Sequence, residues 1–240
     1  MALLFISDLH LSQERPHITQ LFIRFLKEKA PQADALYILG DLFEVWLGDD
    51  MILPEYEQAI SEIKKLTEAG TPVYIMYGNR DFLMREHFET LTGASIIHEP
   101  YIIELQGQPT LLLHGDTLCT DDVEYQKLRS MVRDPRWQED VLAKTPTERL
   151  AMAKKFRDIS RNETSQKDNA IMDVNQQAVE QTMRENNVQR LIHGHTHRPG
   201  VHHFSVDNRE AERIVLSDWY KSGSYLLCDA SGCHAIEFTG

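Results

Sequence analysis

Residues 35–41 read Ala35-Leu36-Tyr37-Ile38-Leu39-Gly40-Asp41, and this short segment already indicates an architecture. Its apolar run has the length and composition of a strand that is buried on both faces, as in a parallel sheet. The glycine allows a sharp turn where the strand ends, directly before a carboxylate. Because ligands of layered α/β proteins bind outside the carboxyl ends of strands, Asp41 is a candidate site residue.

Short apolar runs alternate with amphipathic helical patterns on both sides of this segment. Strand-like runs lie at Leu3–Ile6 and Val73–Met76, and helix-like spacing of apolar residues extends over 18–30 and 56–69. Alternation of this kind predicts a layered α/β fold.

The second half of the chain departs from this alternation. The segment 106–108 lies between two apolar runs and predicts a hairpin, and further strands are expected at 190–192, 213–216, 225–227 and 235–238. Between them, residues 122–175 are rich in Lys, Arg, Gln and Met at helical spacing. We therefore expect one domain, residues 1–240, with a helical cap inserted at about 122–170.

Composition and charge exclude several classes of protein. The chain is 42% hydrophobic and 26% charged, with a net charge of -12, which disfavours a nucleic-acid partner. Its apolar runs are far shorter than the roughly 20 residues of a membrane span, and its start lacks a basic signal-peptide region, so we expect a cytoplasmic protein. Cys119, Cys228 and Cys233 are scattered and odd in number, which predicts reduced, structural thiols.

Strongly polar side chains follow the predicted strands at five places. All are of types that bind metal ions, and most lie beside a glycine: Asp8 and His10, Asp41, Asn79, His114, and His195 with His197. The surrounding segments read Ser7-Asp8-Leu9-His10, Gly40-Asp41, Gly78-Asn79-Arg80-Asp81, His114-Gly115-Asp116 and His193-Gly194-His195-Thr196-His197. Their common position at strand ends predicts a shared metal site. His193 is assigned to packing or to a hydrogen bond that supports a neighbouring ligand, and Asp81 and Asp116 to orienting their neighbours.

In this order, the five segments resemble the motif set of the calcineurin-like metallophosphoesterases. The resemblance implies a four-layer α/β/β/α sandwich that binds two ions, preferably Mn²⁺. By matching position, Asp8, His10 and His197 would hold one ion, Asn79, His114 and His195 the other, and Asp41 would bridge them. It also implies catalytic roles for Asp41, Asn79, Arg80, His114 and His195.

One position departs from many phosphomonoesterases of that family, which have histidine where this chain has Arg80. Arginine cannot serve as a general acid because its pKa is above about 12, but it binds phosphate through two donors. A phosphate that leaves from an anhydride is a stable anion and needs no proton. The departure therefore favours cleavage of a phosphoanhydride.

Longer segments, 35–44, 114–122, 171–176 and 191–199, closely resemble the UDP-2,3-diacylglucosamine pyrophosphatase family of lipid A synthesis. That resemblance implies hydrolysis of UDP-2,3-diacylglucosamine to UMP and 2,3-diacylglucosamine 1-phosphate, at the cytoplasmic face of the inner membrane of a Gram-negative bacterium. We expect a peripheral monomer. The substrate contacts implied by matching position are Asn79, Arg80, Asp122, Ser160, Thr164, Lys167 and His195.

The predicted cap is more polar than the corresponding segment of that family at the place where it would contact lipid. Residues 123–170 contain 11 Lys and Arg against 8 Asp and Glu, a bias that favours anionic headgroups, but the segment after Trp137 is polar. Deep membrane insertion is therefore not expected. An acyl pocket between two cap helices could be lined by Leu128, Met131, Val132, Val141, Leu142, Leu150, Met152 and Phe156.

Two other functions remain open at this point. One keeps both metals but acts on a non-lipid phosphodiester or nucleotide pyrophosphate. The other is a binding module that has lost its metals, although none of the seven ligand-type residues is substituted.

Overall fold

The computed structural model describes residues 1–166 and 172–239, and it describes no side chains for 158–166. The strands are Leu3–Ile6 (β1), Ala35–Leu39 (β2), Val73–Met76 (β3), Ser95–Ile97 (β4), Tyr101–Leu105 (β5), Gln108–Leu112 (β6), Arg190–His193 (β7), Gly200–Val206 (β8), Arg209–Val215 (β9), Gly223–Asp229 (β10) and Gly232–Phe238 (β11). The α-helices are Pro16–Glu28 (α1), Glu57–Glu68 (α2), Glu86–Thr92 (α3), Val123–Val132 (α4), Pro135–Leu142 (α5), Pro146–Gln166 (α6) and Gln176–Glu185 (α7).

The strands form two sheets. The first has the order β11-β10-β1-β2-β3-β4, in which β1 to β4 are parallel, and the second has the order β5-β6-β7-β9-β8. Strands β1, β2 and β3 are almost fully buried, as the apolar run of β2 predicts. The hairpin expected around 106–108 is present as the antiparallel pair of β5 and β6.

Three apolar layers separate the elements. Alternate residues of β1 point in opposite directions: Leu3 and Phe5 pack between the sheets, whereas Leu4 and Ile6 pack against α1 and α2. On the far side, Val179 and Met183 of α7 pack on the second sheet. The order helix, sheet, sheet, helix confirms the four-layer fold that the sequence predicts.

The thiol prediction was wrong for two of the three cysteines. Cys228 and Cys233 form a disulfide, whereas Cys119 is a free, buried thiol. The physical reason is the register of the last hairpin: Cys228 of β10 lies directly opposite Cys233 of β11, with the two Cα atoms 4.1 Å apart. Cross-strand neighbours at this separation bring their side chains close together.

Helices α4, α5 and α6 lie in the connection from the second sheet's β6 to its β7. Helix α6 contacts the core through Arg149, which donates to both carboxylate oxygens of Asp50 and to the carbonyl oxygen of Leu47. Across the described parts of the chain, no helix combines the length and apolarity that a membrane crossing requires.

Candidate metal centre

The loops that carry the candidate ligands have an unusual backbone conformation. Asp8, His10, Asp41, His195 and His197 all have positive φ angles, between 48° and 68°. This left-handed region is uncommon for residues other than glycine, and it costs of order 1–3 kcal/mol per residue when the surroundings enforce it. Such conformations cluster at functional sites, and here five of them turn side chains toward one point.

The first group consists of Asp8, His10 and His197, each of which offers one ligand atom within 4.8 Å of the others. His197 Nε2 lies 3.3 Å from Asp8 Oδ1, and His10 Nε2 lies 4.0 Å from the same oxygen. Nε2 of buried His10, which faces Asp8 and Asp41, has no hydrogen-bond partner among the described residues. A buried, unpartnered imidazole nitrogen beside carboxylates fits the donor set of a divalent metal.

Asp41 joins this group to a second one. Its Oδ2 lies 3.6 Å from His10 Nε2 and 3.8 Å from His114 Nε2. Asn79 Oδ1 lies 3.0 Å from His114 Nε2 and 3.1 Å from His195 Nδ1. All seven ligand-type side chains that the sequence points to therefore converge on one cradle with Asp41 in the middle; Asp8, His10, Asp41 and His114 are buried and the other three partly buried.

The charges in the cradle shift several pKa values in opposite directions. Burial alone would raise the pKa of Asp8 and lower that of His114, but the contacts between them dominate. The hydrogen bond from His197 and the nearby His114 hold the pKa of Asp8 far below its usual value. The carboxylates of Asp41, Asp116 and Asp8 raise the pKa of His114 to about 9. Burial and the neighbouring His114 lower the pKa of His195 to about 4.

Two further carboxylates fix the ligand loops. Asp81 is fully buried and accepts hydrogen bonds from the backbone N–H groups of Gly78 and Leu42, both at 2.8 Å, so it ties together the loops that carry Asn79 and Asp41. Asp116 accepts from the hydroxyl of Tyr125 at 2.7 Å and from Nε of Arg129 at 2.8 Å. Because Tyr125 and Arg129 both belong to α4, these two hydrogen bonds connect the loop after His114 to that helix.

His193 lies outside the cradle and makes hydrogen bonds behind it, one of the two roles that the sequence predicts. Its Nε2 lies 3.1 Å from Nη1 of buried Arg213, and its Nδ1 lies 2.8 Å from the carbonyl oxygen of Gly194. These contacts hold the backbone that leads to His195.

Arg80 lies at the edge of the cradle. Its backbone N–H donates to Asp41 Oδ1 at 2.8 Å, and its buried Nε has no partner among the described residues. Asp122 accepts from the backbone N–H of Tyr125 and caps α4. Lys167 and the side chains of Ser160 and Thr164 lie outside the described residues.

A cavity of about 480 Å³ opens beside Asn79, Arg80 and Asp122, between the core loops and helices α4 to α6. Its wall is mostly apolar: Trp46, Leu47, Phe82 and Leu83 from the core, and Leu128, Met131, Val132, Trp137, Val141, Met152 and Phe156 from the helices. The position differs from the expected pocket between two cap helices, because the core supplies one wall. Leu142 and Leu150 do not line it, and Leu150 is exposed.

Sequence reasoning missed several residues around His10. Glu44 lies 3.3 Å from His10 Nδ1, and Tyr220 stacks on the His10 ring with a centroid distance of 5.6 Å. The pKa of Glu44 lies below its usual value: burial alone would raise it, but the contacts with His10, Arg80 and Arg15 have the larger, opposite effect. Glu44 follows Asp41 within the same loop sequence, Asp41-Leu42-Phe43-Glu44. Only the pairing of that loop with residues 9–11 reveals its contact with His10.

This fold and this cluster define a metal-dependent phosphoesterase. The chain belongs to the calcineurin-like phosphoesterase family, whose model matches residues 1–199. The family implies divalent metal ions, and the residues grouped around Asp8 and Asp41 could hold them.

Two curated relatives match nearly the whole length of this chain. The chain is 48% identical to the UDP-2,3-diacylglucosamine hydrolase of Stenotrophomonas maltophilia (strain R551-3), over 97% of this chain and 96% of the relative. It is 49% identical to the protein of the same name from Edwardsiella ictaluri (strain 93-146), over 99% of this chain and 92% of the relative. A solved archaeal phosphodiesterase is 14% identical with a TM-score of 0.48, over 99% of both chains.

Proposed function

We propose that this protein hydrolyses the pyrophosphate bond of UDP-2,3-diacylglucosamine, giving UMP and 2,3-diacylglucosamine 1-phosphate for lipid A synthesis. The observation that carries the proposal is that two features adjoin: a cradle of seven ligand-type side chains, four of them buried, and a mostly apolar cavity that begins at Arg80. The first suits phosphoanhydride cleavage and the second suits acyl chains. The relatives' names agree with both.

The proposed centre holds two Mn²⁺ ions. Asp8, His10 and His197 would bind one and Asn79, His114 and His195 the other, with Asp41 between them. A donor set of nitrogen and oxygen without thiolate suits Mn²⁺ among several transition metals. When bound, such ions would supply an activated water and stabilise charge on the attacking and leaving oxygens.

In this proposal Arg80 binds the substrate's phosphate. Its buried Nε has no protein acceptor among the described residues, so a phosphate oxygen could satisfy it. Since the hydrogen bond from its backbone to Asp41 fixes its position relative to the cradle, the side chain can orient the anhydride without moving a proton. The departing phosphate group is already an anion and needs no general acid.

The remaining polar contacts would come from the inserted helices. We assign Asp122, Ser160, Thr164 and Lys167 to the sugar and phosphate groups, together with Asn79 and His195. In this arrangement residues 1–240 form one domain with a cap at about 122–170, and the acyl chains lie against Leu128, Val132 and Phe156. The protein would act as a monomer at the cytoplasmic face of the inner membrane.

The test compares turnover of UDP-2,3-diacylglucosamine with that of UDP-glucosamine. Each buried methylene contributes about 0.8 kcal/mol, so four buried methylenes correspond to roughly 3 kcal/mol, or on the order of 100-fold in kcat/KM. Leu128→Gln should reduce kcat/KM for the acylated substrate only, whereas Leu150→Gln, a change on an exposed residue outside the cavity, should not. Equal turnover of both substrates would refute the lipid assignment and favour a non-lipid pyrophosphatase.

A further inference from the structure

The side of His10 that faces away from the cradle has an unusual environment. Its Nε2 faces Asp8 and Asp41, whereas its Nδ1 lies 3.3 Å from Oε2 of Glu44. Among the described residues, Glu44 supplies the one carboxylate within 4.0 Å of that nitrogen. The ring therefore lies between two carboxylates that would bind an ion on one side and a third carboxylate on the other.

Backbone pairing fixes Glu44 in this place. The loops after β1 and β2 continue as a short parallel pair, in which Leu11 N–H donates to the carbonyl oxygen of Leu42 and Glu44 N–H donates to that of Leu11, both at 3.0 Å. His10 N–H donates to the carbonyl oxygen of Asp41 in the same pair, at 2.9 Å. The register that puts Asp41 beside His10 Nε2 thus also puts Glu44 beside Nδ1.

Side chains restrict both partners further. Arg15 donates from Nη2 to the carbonyl oxygen of His10 at 2.6 Å, and the same nitrogen lies 3.6 Å from Glu44 Oε2. Tyr220 stacks on the imidazole at an interplanar angle of 11°, and the guanidinium of Arg15 lies 4.4 Å from the centre of the tyrosine ring. Stacking limits the tilt of the imidazole but does not distinguish the two ring orientations related by a half-turn about χ2, whereas an acceptor at Nδ1 does.

The other buried ligand histidine has a different acceptor. His114 Nδ1 lies 2.9 Å from the carbonyl oxygen of Leu39, a neutral group. Metal-binding histidines usually donate their second N–H to a carbonyl or a carboxylate, and the acceptor selects the tautomer and raises the basicity of the ligating nitrogen. A carboxylate does this more strongly because it is charged.

We propose that Glu44 is a positioning residue for His10, whose carboxylate keeps the proton on Nδ1 and leaves Nε2 free to bind an ion beside Asp8 and Asp41. This inference rests on the proposed metal centre but assigns a role to a residue outside it. Glu44 does not bind the ion itself. It acts through the orientation and tautomer of His10.

The experiment measures Mn²⁺ binding to the metal-stripped full-length protein by calorimetry, together with the melting temperature of each variant in chelator. Loss of such an acceptor typically weakens metal binding about 10- to 100-fold. We expect an increase of that size in the Mn²⁺ Kd of Glu44→Ala. In Glu44→Gln, which retains a neutral acceptor oxygen, the increase should be smaller. Glu104→Gln, on the exposed side of β5, serves as the matched control and should bind Mn²⁺ like the wild type.

The melting temperature separates positioning from folding. Weaker Mn²⁺ binding with an unchanged melting temperature in chelator supports the proposal, and graded loss from Gln to Ala supports it further. A wild-type Kd in folded Glu44→Ala overturns it, as does a Kd that rises only in parallel with a fall in melting temperature. If Glu44→Ala does not fold, a wild-type Kd in Glu44→Gln overturns it instead. Absence of Mn²⁺ binding by the wild-type protein would overturn the metal centre itself.

Discussion

Gly78 offers a test of the cradle that changes no proposed ligand. A Cβ atom at this position would lie 2.0 Å from Oδ1 of Asp41 and 2.2 Å from its backbone nitrogen, whereas ordinary van der Waals contact begins at 3.4 Å. Gly78 does not have a positive φ, so alanine would introduce this collision without backbone strain of its own. Because one colliding atom belongs to the backbone, Asp41 would have to move by about 1 Å or more.

A displacement of this size has a calculable effect on catalysis. Misplacement of a catalytic group by 1 Å can cost about 100-fold in rate, which equals roughly 2.7 kcal/mol of transition-state stabilisation. Overpacking should also lower the free energy of unfolding by about 1–3 kcal/mol. We expect Gly78→Ala to be folded and to lose about two orders of magnitude in kcat/KM for UDP-2,3-diacylglucosamine.

The assay combines steady-state hydrolysis with denaturant unfolding. Gly200→Ala is the matched control, since its Cβ would meet nothing closer than His202 Nε2 at 3.6 Å and its φ is not positive. It should retain wild-type kcat/KM. A folded Gly78→Ala protein with wild-type kcat/KM would refute the argument that the position of Asp41 controls the reaction.

Three further predictions concern the same centre. Asp41→Ala should retain the fold but lose more than the roughly 10²–10³-fold in kcat that removal of a single stabilising donor costs, and wild-type turnover would exclude a bridging role. Arg80→Ala should weaken phosphate binding by about 1.5–3 kcal/mol, seen as a roughly 10- to 150-fold rise in KM, and unaltered kinetics would remove Arg80 from the site. His114 in the metal-free protein has a pKa of about 9, where the surrounding carboxylates outweigh burial, so it is protonated at pH 7 and must release that proton to bind metal. Mn²⁺ affinity should therefore rise from pH 7 to pH 9, with proton release measurable by calorimetry in buffers of different ionisation enthalpy; a pH-independent affinity would contradict this.

The sequence predicts strands β1 to β3 and the loops that follow them because both depend on local patterns. The apolar runs of β1, β2 and β3 are continuous, and each is followed directly by the residues of a turn. Parallel strands end at the same edge of a sheet, so residues such as Asp8, Asp41 and Asn79 are expected to lie close together there. This expectation does not require the loop conformations to be known.

Other elements give weak local signals. β4 has only three residues, and β8 is mostly exposed with the sequence Gly200-Val201-His202-His203-Phe204-Ser205-Val206, so neither has the apolar run of a buried strand. Strands β4 and β8 form because they pair with the neighbouring strands β3 and β9. The disulfide of Cys228 with Cys233 depends in the same way on hairpin register, which scattered cysteines in a sequence do not reveal.

The contact of Glu44 with His10 was also beyond sequence reasoning. It requires the loop after β2 to pair with the loop after β1, and that pairing is a product of positive φ angles at His10 and Asp41. A sequence pattern indicates that a glycine or aspartate can adopt such angles, but the neighbouring chain determines whether it does.

The most direct test of the two-metal centre is anomalous diffraction from crystals grown with Mn²⁺, recorded at the manganese edge. The account predicts two anomalous peaks about 3.5–4 Å apart, one beside Asp8, His10 and His197, the other beside Asn79, His114 and His195, with Asp41 contacting both. A single peak, or manganese bound away from Asp41, would contradict it.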